Sequence, residues 1–241
     1  MPETIQPIII CMVPRSGSTY LGSLFRDNGL GDAQEYFRVA GNQFSQLVSE
    51  NQLHTYGDYI EYLVENFSDG PFFSVKTDWL QFRPVYHFQA YRKYFRQAKF
   101  IYLTRHDLIS QAVSRYIMDQ SNYGDSTQKK DEHKFNKIQF SYEEIKKHLN
   151  LLQGIDVAWR EFFALEHIKP LELQYEDLAE HPERCLSKIG QFVGHSMPTP
   201  PIISTEYKKV ASRLNTDLRA NFVEEYKNRQ VEFCRKIEMD S

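Results

Sequence analysis

The apolar run IIICMV at Ile8–Val13 passes without interruption into Pro14-Arg15-Ser16-Gly17-Ser18-Thr19, after which Tyr20, Leu21, Leu24 and Phe25 recur at helical spacing. The run is far too short to span a bilayer and is expected to be a buried strand; Thr19 to Arg26 is expected to be the helix that follows. Where a strand meets a helix through a short Gly, Ser and Thr loop, backbone N–H groups and the positive end of the helix dipole converge on one point, and that point suits an anion. Arg15 adds a fixed charge with a bidentate donor fork, and Ser16, Ser18 and Thr19 add hydroxyl donors. Helix capping alone accounts for Ser18 but not for the neighbouring arginine.

The strand-to-helix alternation continues down the chain. Tyr59, Ile60, Leu63, Val64 and Phe67 form a helical stripe, Gly70 and Pro71 punctuate it, and Phe72 to Lys76 is predicted as a second strand. A helix is expected around Val85 to Phe95, a third strand at Lys99 to Thr104, and a helix opened by Asp107 that runs through Ile117. Ser121 to Gln139 is polar and long enough to be either a mobile lid or a plain solvated loop. Ser141 and Glu144 make a capping box for a long helix bearing Trp159, Phe162 and Phe163. A fourth strand follows at Pro170 to Tyr175, then helices at Pro182 to Val193 and Asn215 to Ile237. With 241 residues, 41% of them apolar and 14% aromatic, the chain has enough core for one α/β domain over residues 1–241. Its expected architecture is a mainly parallel sheet flanked by helices, with ligands at the carboxyl ends of the strands.

A net charge of −3 gives no bulk attraction to nucleic acid or anionic membrane, so any anion site must be built locally. Cys11, Cys185 and Cys234 are too few for a disulfide framework and lack a Cys-x-x-Cys metal pair; they suit a reducing, cytoplasmic compartment. Neither a transmembrane stretch nor a basic leader is expected. Spacing also excludes several rival chemistries. Gly17 is followed by no lysine, unlike a Walker A loop, and Gly29-Leu30-Gly31 follows a helix and has Gln34 where a dinucleotide fingerprint needs glycine. There is no G-x-S-x-G elbow and no H-E-x-x-H zinc helix.

Taken in order, PRSGST, Gln34-Glu35-Tyr36-Phe37, Lys76 with Trp79, Arg105-x-Asp107 with Gln111-Ala112-Val113-Ser114, Trp159-Arg160, Pro170-Leu171-Glu172-Leu173 and Tyr175-Glu176-Asp177-Leu178 resemble one family. It is the bacterial trehalose 2-sulfotransferase family, whose donor is 3′-phosphoadenosine 5′-phosphosulfate (PAPS). The resemblance implies a P-loop-like sulfotransferase fold that moves a sulfuryl group from PAPS to a hydroxyl of a carbohydrate or glycolipid and releases adenosine 3′,5′-bisphosphate. It implies no metal and no nucleic-acid partner, and it is compatible with a homodimer.

The resemblance also assigns residues. Arg15, Ser16, Gly17, Ser18, Thr19 and Tyr20 would hold the 5′-phosphosulfate, in agreement with the physics of the loop. Arg105 and Ser114 would grip the 3′-phosphate, with Ser110, one turn nearer, as the competing hydroxyl. Arg213, in Ala211-Ser212-Arg213-Leu214-Asn215, would add to that subsite, although Phe222 stands where the family has tryptophan. Lys76 would stabilise charge on the transferring group, and Trp79 would stack on donor or acceptor unless it fills the core. Glu35 would be the catalytic base, with Tyr36 and Phe37 restricting water around it and His87 and His106 as the next bases in line. The plainer readings are a loop glutamate paired with Arg38, a snorkelling Lys76 and a surface Arg105 paired with Asp107. Two other functions stay open: a small-molecule kinase with a divergent loop, for which Asp78 would be the magnesium ligand, and a noncatalytic module that binds a sulfated saccharide.

Overall fold

The strand at Gln6–Met12 (β1) is buried along its apolar length, as a strand covered on both faces must be, and it lies inside the sheet rather than at its edge. The computed structural model describes residues 5–40, 42–88, 90–123, 131–203 and 213–240. After β1 the chain forms α1 (Ser18–Asp27), α2 (Asn42–Glu50), α3 (Tyr56–Asn66), β2 (Phe72–Thr77), α4 (Trp79–His87) and a π-helical turn at Tyr91–Phe95. It continues through β3 (Lys99–Thr104), α5 (Leu108–Ser121), α6 (Glu132–Phe135), α7 (Tyr142–Leu165), β4 (Leu171–Gln174), α8 (Tyr175–Glu180), α9 (Pro182–Val193) and α10 (Arg213–Asp240). The strands stand in the order β2-β1-β3-β4, each neighbouring pair parallel: Ile10 is in register with Lys76 and with Ile101, and Leu103 with Leu173. This is the mainly parallel α/β architecture expected, and it gathers the carboxyl ends of all four strands along one edge.

The chain divides into two compact units, Met1–His106 with Gly154–Thr205 and Asp107–Gln153 with Glu206–Ser241. The first holds the sheet. One sheet face packs Ile8, Ile10 and Leu103 with Leu21 and Leu24 of α1 and with Leu186 and Ile189 of α9. Phe100 and Tyr102 pack against Phe162 and Phe163 of α7, and Phe82 of α4 meets both Phe100 and Trp159. Trp159 is fully buried and donates its indole N–H to the Met12 carbonyl at 3.2 Å, tying α7 to the end of β1. In the second unit α10 lies against α5, and the buried Phe222 stacks on Tyr142 with ring centroids 5.0 Å apart.

Several boundaries differ from expectation for local reasons. The helix expected around Val85 to Phe95 starts earlier, at Trp79, because the Asp78 carboxylate caps it by accepting the Gln81 N–H at 3.0 Å. Its later part is the separate π-helical turn. Within the polar stretch 121–139, α5 reaches Ser121, and Asp131 caps α6, which buries Phe135. Residues 124–130, the middle of the expected lid, lie outside the described residues.

Asp107 caps α5 as expected, accepting the Ser110 N–H at 3.0 Å, and it also pairs with Arg219 at 3.2 Å. Burial pushes its carboxyl up, but the Ser110 hydrogen bonds and the Arg219 guanidinium outweigh that and hold it below the usual carboxylate range. A carboxyl depressed in the folded state adds stability above its unfolded value of about 4, and that stability is lost as pH falls through the folded value. Asp107→Asn is therefore expected to be less stable than wild type at neutral pH by a margin that shrinks in acid. Urea melts across this pH range check it; a margin independent of pH would show that the charge contributes nothing.

Candidate functional site

The loop leaving β1 adopts a conformation that a random Ser-rich turn would avoid. Arg15 has φ +70° and Gly17 φ +83°, so two residues separated by Ser16 are left-handed, and helix α1 begins immediately, with the Leu21 N–H bonded to the Gly17 carbonyl at 3.0 Å. The N–H groups of Ser18, Thr19 and Tyr20 consequently have no acceptor within the helix. Ser16 is fully buried, and among the described residues its Oγ has no hydrogen-bond partner. A buried hydroxyl left without a partner costs roughly 1–3 kcal/mol, which is a reason to expect an acceptor there. Tyr20 differs from its loop neighbours: its ring packs against the cluster formed by α1 and α9, so the group it can offer an anion is its backbone N–H.

Lys76 and the Glu35 segment converge on α1 from the β2 side. Lys76, near the end of β2, is only 6% exposed. A Cβ placed on Gly22, one turn into α1, would lie 2.9 Å from the Ala33 carbonyl oxygen and 3.9 Å from Lys76 Cδ. The glycine therefore leaves room for both. Beyond Ala33, Gln34 makes a parallel bridge to Val75, and its carbonyl accepts the Lys76 N–H at 3.0 Å. Glu35 is half-buried, and its Oε2 accepts a hydrogen bond from Gln81 Nε2 at 2.8 Å. Tyr36 and Phe37, expected to restrict water around the carboxylate, are buried in the core instead: Tyr36 packs on Phe67 and Phe73, and Phe37 on Phe82 and Phe95. They anchor the segment.

Arg105 follows β3. Its Nη1 donates to the Arg15 carbonyl at 3.5 Å, its guanidinium carbon lies 4.8 Å from the centroid of the Tyr175 ring, and its buried Nε has no partner among the described residues. The same Tyr175 ring covers the loop, since a Cβ on Gly17 would come within 2.7 Å of its Cδ2. Tyr175 and Gln81 were missed as individual functional candidates; only the Tyr175-Glu176-Asp177-Leu178 segment pointed toward the first. Ser110, Ser114 and Arg213 belong to the second unit. The Ser110 hydroxyl donates to Asp107 at 2.7 Å, Ser114 is half-buried in α5, and Arg213 opens α10 with a side chain 94% exposed, 3.7 Å from Asp217. Ala211 and Ser212, which precede Arg213 in the motif, lie outside the described residues.

Trp79 is half-buried in an aromatic cluster with Phe82, Trp159 and Phe162. His87 and His106 are both exposed. Among the described residues no group of three or more His, Cys, Asp or Glu side chains is placed to hold a metal ion, and no helix is long and apolar enough to cross a membrane. A hollow of about 330 Å³ lined by Tyr102, Arg160, Phe163, Lys169 and Glu172 includes none of the loop residues.

A parallel sheet whose interior strand opens through a left-handed, serine-rich loop into a helix, with cationic side chains at the ends of both flanking strands, is the architecture of an α/β protein suited to an anionic ligand at the strand ends. The family model described as Stf0 sulphotransferase matches residues 71–229, well over half of the chain, and the chain belongs to that family of sulfate-transferring enzymes. Lys76, Trp79, Arg105, Ser114 and Arg213 fall within the matched span; the loop and Glu35 precede it. Among solved structures, a sulfotransferase from Alicyclobacillus acidocaldarius is similar, with 14% identity and a TM-score of 0.49 over 92% of this chain and 93% of that one. No curated protein matches the chain.

Gly17→Ala should lose stability on two counts, its positive φ and the contact with Tyr175, together more than about 1 kcal/mol. On a Tyr175→Ala background the same substitution should cost less, because the steric part is gone. Equal losses on the two backgrounds in denaturant titrations would mean that the tyrosine ring does not fill the space over the loop.

Proposed function

We propose that the chain is a PAPS-dependent sulfotransferase acting on a hydroxyl of a carbohydrate or glycolipid. The observation that supports this most is the buried Ser16 Oγ, without a hydrogen-bond partner among the described residues, inside a loop whose first helical N–H groups have no side-chain cap and whose Arg15 carbonyl is tied to Arg105. These donors fit a bound anion. Bound PAPS supplies the sulfuryl group, and adenosine 3′,5′-bisphosphate leaves. Arg15, Ser16, Ser18, Thr19 and the N–H of Tyr20 cradle the 5′-phosphosulfate, with Gly17 allowing the turn. Arg105 holds the 3′-phosphate.

In this reading Glu35 takes the proton of the acceptor hydroxyl while Arg15 and Lys76 stabilise the charge that develops on the transferring and leaving groups. This is catalysis by positioning and preorganised charge. The carbohydrate acceptor rests on the resemblance of the chain's motifs, taken in order, to the trehalose 2-sulfotransferase family. The same proposal includes a single catalytic domain, a homodimer and a cytoplasmic location, which the free thiols of Cys11 and Cys185 suit. The kinase alternative is weakened because no lysine follows Gly17 in the loop to work with Asp78.

The deciding experiment incubates the protein with PAPS and a panel of sugars and glycolipids and looks for sulfated product by mass spectrometry. Glu35→Gln should lower kcat on the order of 10²- to 10⁴-fold while affinity for adenosine 3′,5′-bisphosphate is kept. Near-normal kcat in that variant would remove Glu35 from the chemistry, and binding of PAPS with no turnover on any hydroxyl would favour a noncatalytic module.

A second measurement separates the two ends of the nucleotide. Arg105→Ala should weaken adenosine 3′,5′-bisphosphate by about 1.5–3 kcal/mol, the size of a lost charged hydrogen bond, and adenosine 5′-phosphosulfate much less. Calorimetric titration that found equal losses for both would assign Arg105 elsewhere.

A further inference from the structure

Glu35 sits in a stretch without regular structure, between Gly31 and α2, where a carboxylate would ordinarily sample several rotamers. Here it is tethered twice. Its backbone is held by the preceding residue, since Gln34 bridges to Val75 and its carbonyl accepts the Lys76 N–H at 3.0 Å. Its side chain is held by Gln81, whose Nε2 lies 2.8 Å from Glu35 Oε2 across 46 residues of sequence.

Gln81 is itself fixed. It is the third residue of α4, and its N–H is bonded to the capping Asp78 carboxylate at 3.0 Å. At this helix position a glutamine side chain commonly turns back to the N–H of the capping residue. Gln81 instead reaches out to another segment. The orientation of its amide follows from chemistry: an ionised carboxylate only accepts, so the NH₂ must face Glu35, and Oε1 is left 3.5 Å from the hydroxyl of Thr77, a fully buried residue at the end of β2. A chain of contacts thus runs from the sheet edge through the capped turn of α4 to the Glu35 carboxylate.

We infer that Gln81 is a positioning residue for the base, holding the Glu35 carboxylate in one rotamer at the carboxyl edge of the sheet with its Oε2 satisfied. The inference rests on the reading of Glu35 as the base. Because Gln81 acts through Glu35, its removal should affect turnover and spare donor binding.

The test is a kinetic cycle with the full chain and PAPS. Gln81→Met keeps the length and flexibility of the side chain but cannot donate; Gln81→Asn keeps the donor but draws it back by a methylene. Each should lower kcat on the order of 10- to 100-fold, with the KM for PAPS and the melting temperature close to wild type. On a Glu35→Gln background Gln81→Met should lower kcat by no more than about twofold, because the group it positions is already gone. Wild-type kcat in both Gln81 variants, or a loss that multiplies fully with that of Glu35→Gln, would overturn the inference while leaving Glu35 as the base. Wild-type kcat in Glu35→Gln alone would instead remove the base reading, and the role of Gln81 with it.

Discussion

The turn at the end of β1 is the constraint on which the rest of the site depends. A non-glycine residue at positive φ stores strain and persists only where its surroundings hold it, and Arg15 is held from two sides. Trp159 of α7 bonds the Met12 carbonyl just before the turn, and Arg105, beyond β3, bonds the carbonyl of Arg15 itself. Tyr175, immediately after β4, closes over Gly17, where even a methyl group would collide with its ring. The loop is shaped by the strands beside it as much as by its own residues. Parallel pairing makes that possible, because it delivers the ends of β1, β3 and β4 to one edge.

Much of this frame was legible in the sequence because apolar periodicity reports burial, and burial dictates strands and helices. β3 at Lys99–Thr104 and α9 at Pro182–Val193 fell where pattern and punctuation put them: one is an apolar run between polar flanks, the other opens on proline and stops at Gly194 in a left-handed C-cap. α4 was misplaced because Asp78 gave no recognised start signal, although its carboxylate caps the helix that begins at Trp79. α2 and α8 left weaker signals. α8 follows β4 with no intervening loop, and no turn residue marks the change.

The site was legible in a different proportion. Charged and hydroxyl groups in PRSGST, Lys76 and Arg105 carry chemistry that a sequence displays openly. Gln81 does not, because an uncharged amide on the first turn of a helix looks like surface, and its partner lies 46 residues away. Tyr175 was visible only as part of a segment; that one ring serves both Gly17 and Arg105 is a fact of strand order. Tyr36 and Phe37 pointed the other way, suggesting a dry pocket around Glu35, whereas their rings complete the core beneath it. Aromatic residues beside a candidate base mark either a lining or an anchor, and sequence alone does not separate the two.

Several arginines differ from Arg105 in how their charge is met. Arg160 pairs with Asp156, Arg184 with Asp177, Arg219 with Asp107, and Arg229 with both Glu143 and Glu225. Each has a carboxylate nearby to offset its charge, and exposed pairs of this kind contribute little to stability. Arg105 differs: among the described residues its partners are a backbone carbonyl and an aromatic face, and neither cancels a formal charge. Placing a guanidinium against neutral partners, with its Nε buried and unbonded, stabilises the fold less than an ion pair would. It does keep the positive charge available to an incoming anion. In a chain whose net charge is −3, a cation of this kind gives an anion a local attraction that the bulk charge does not.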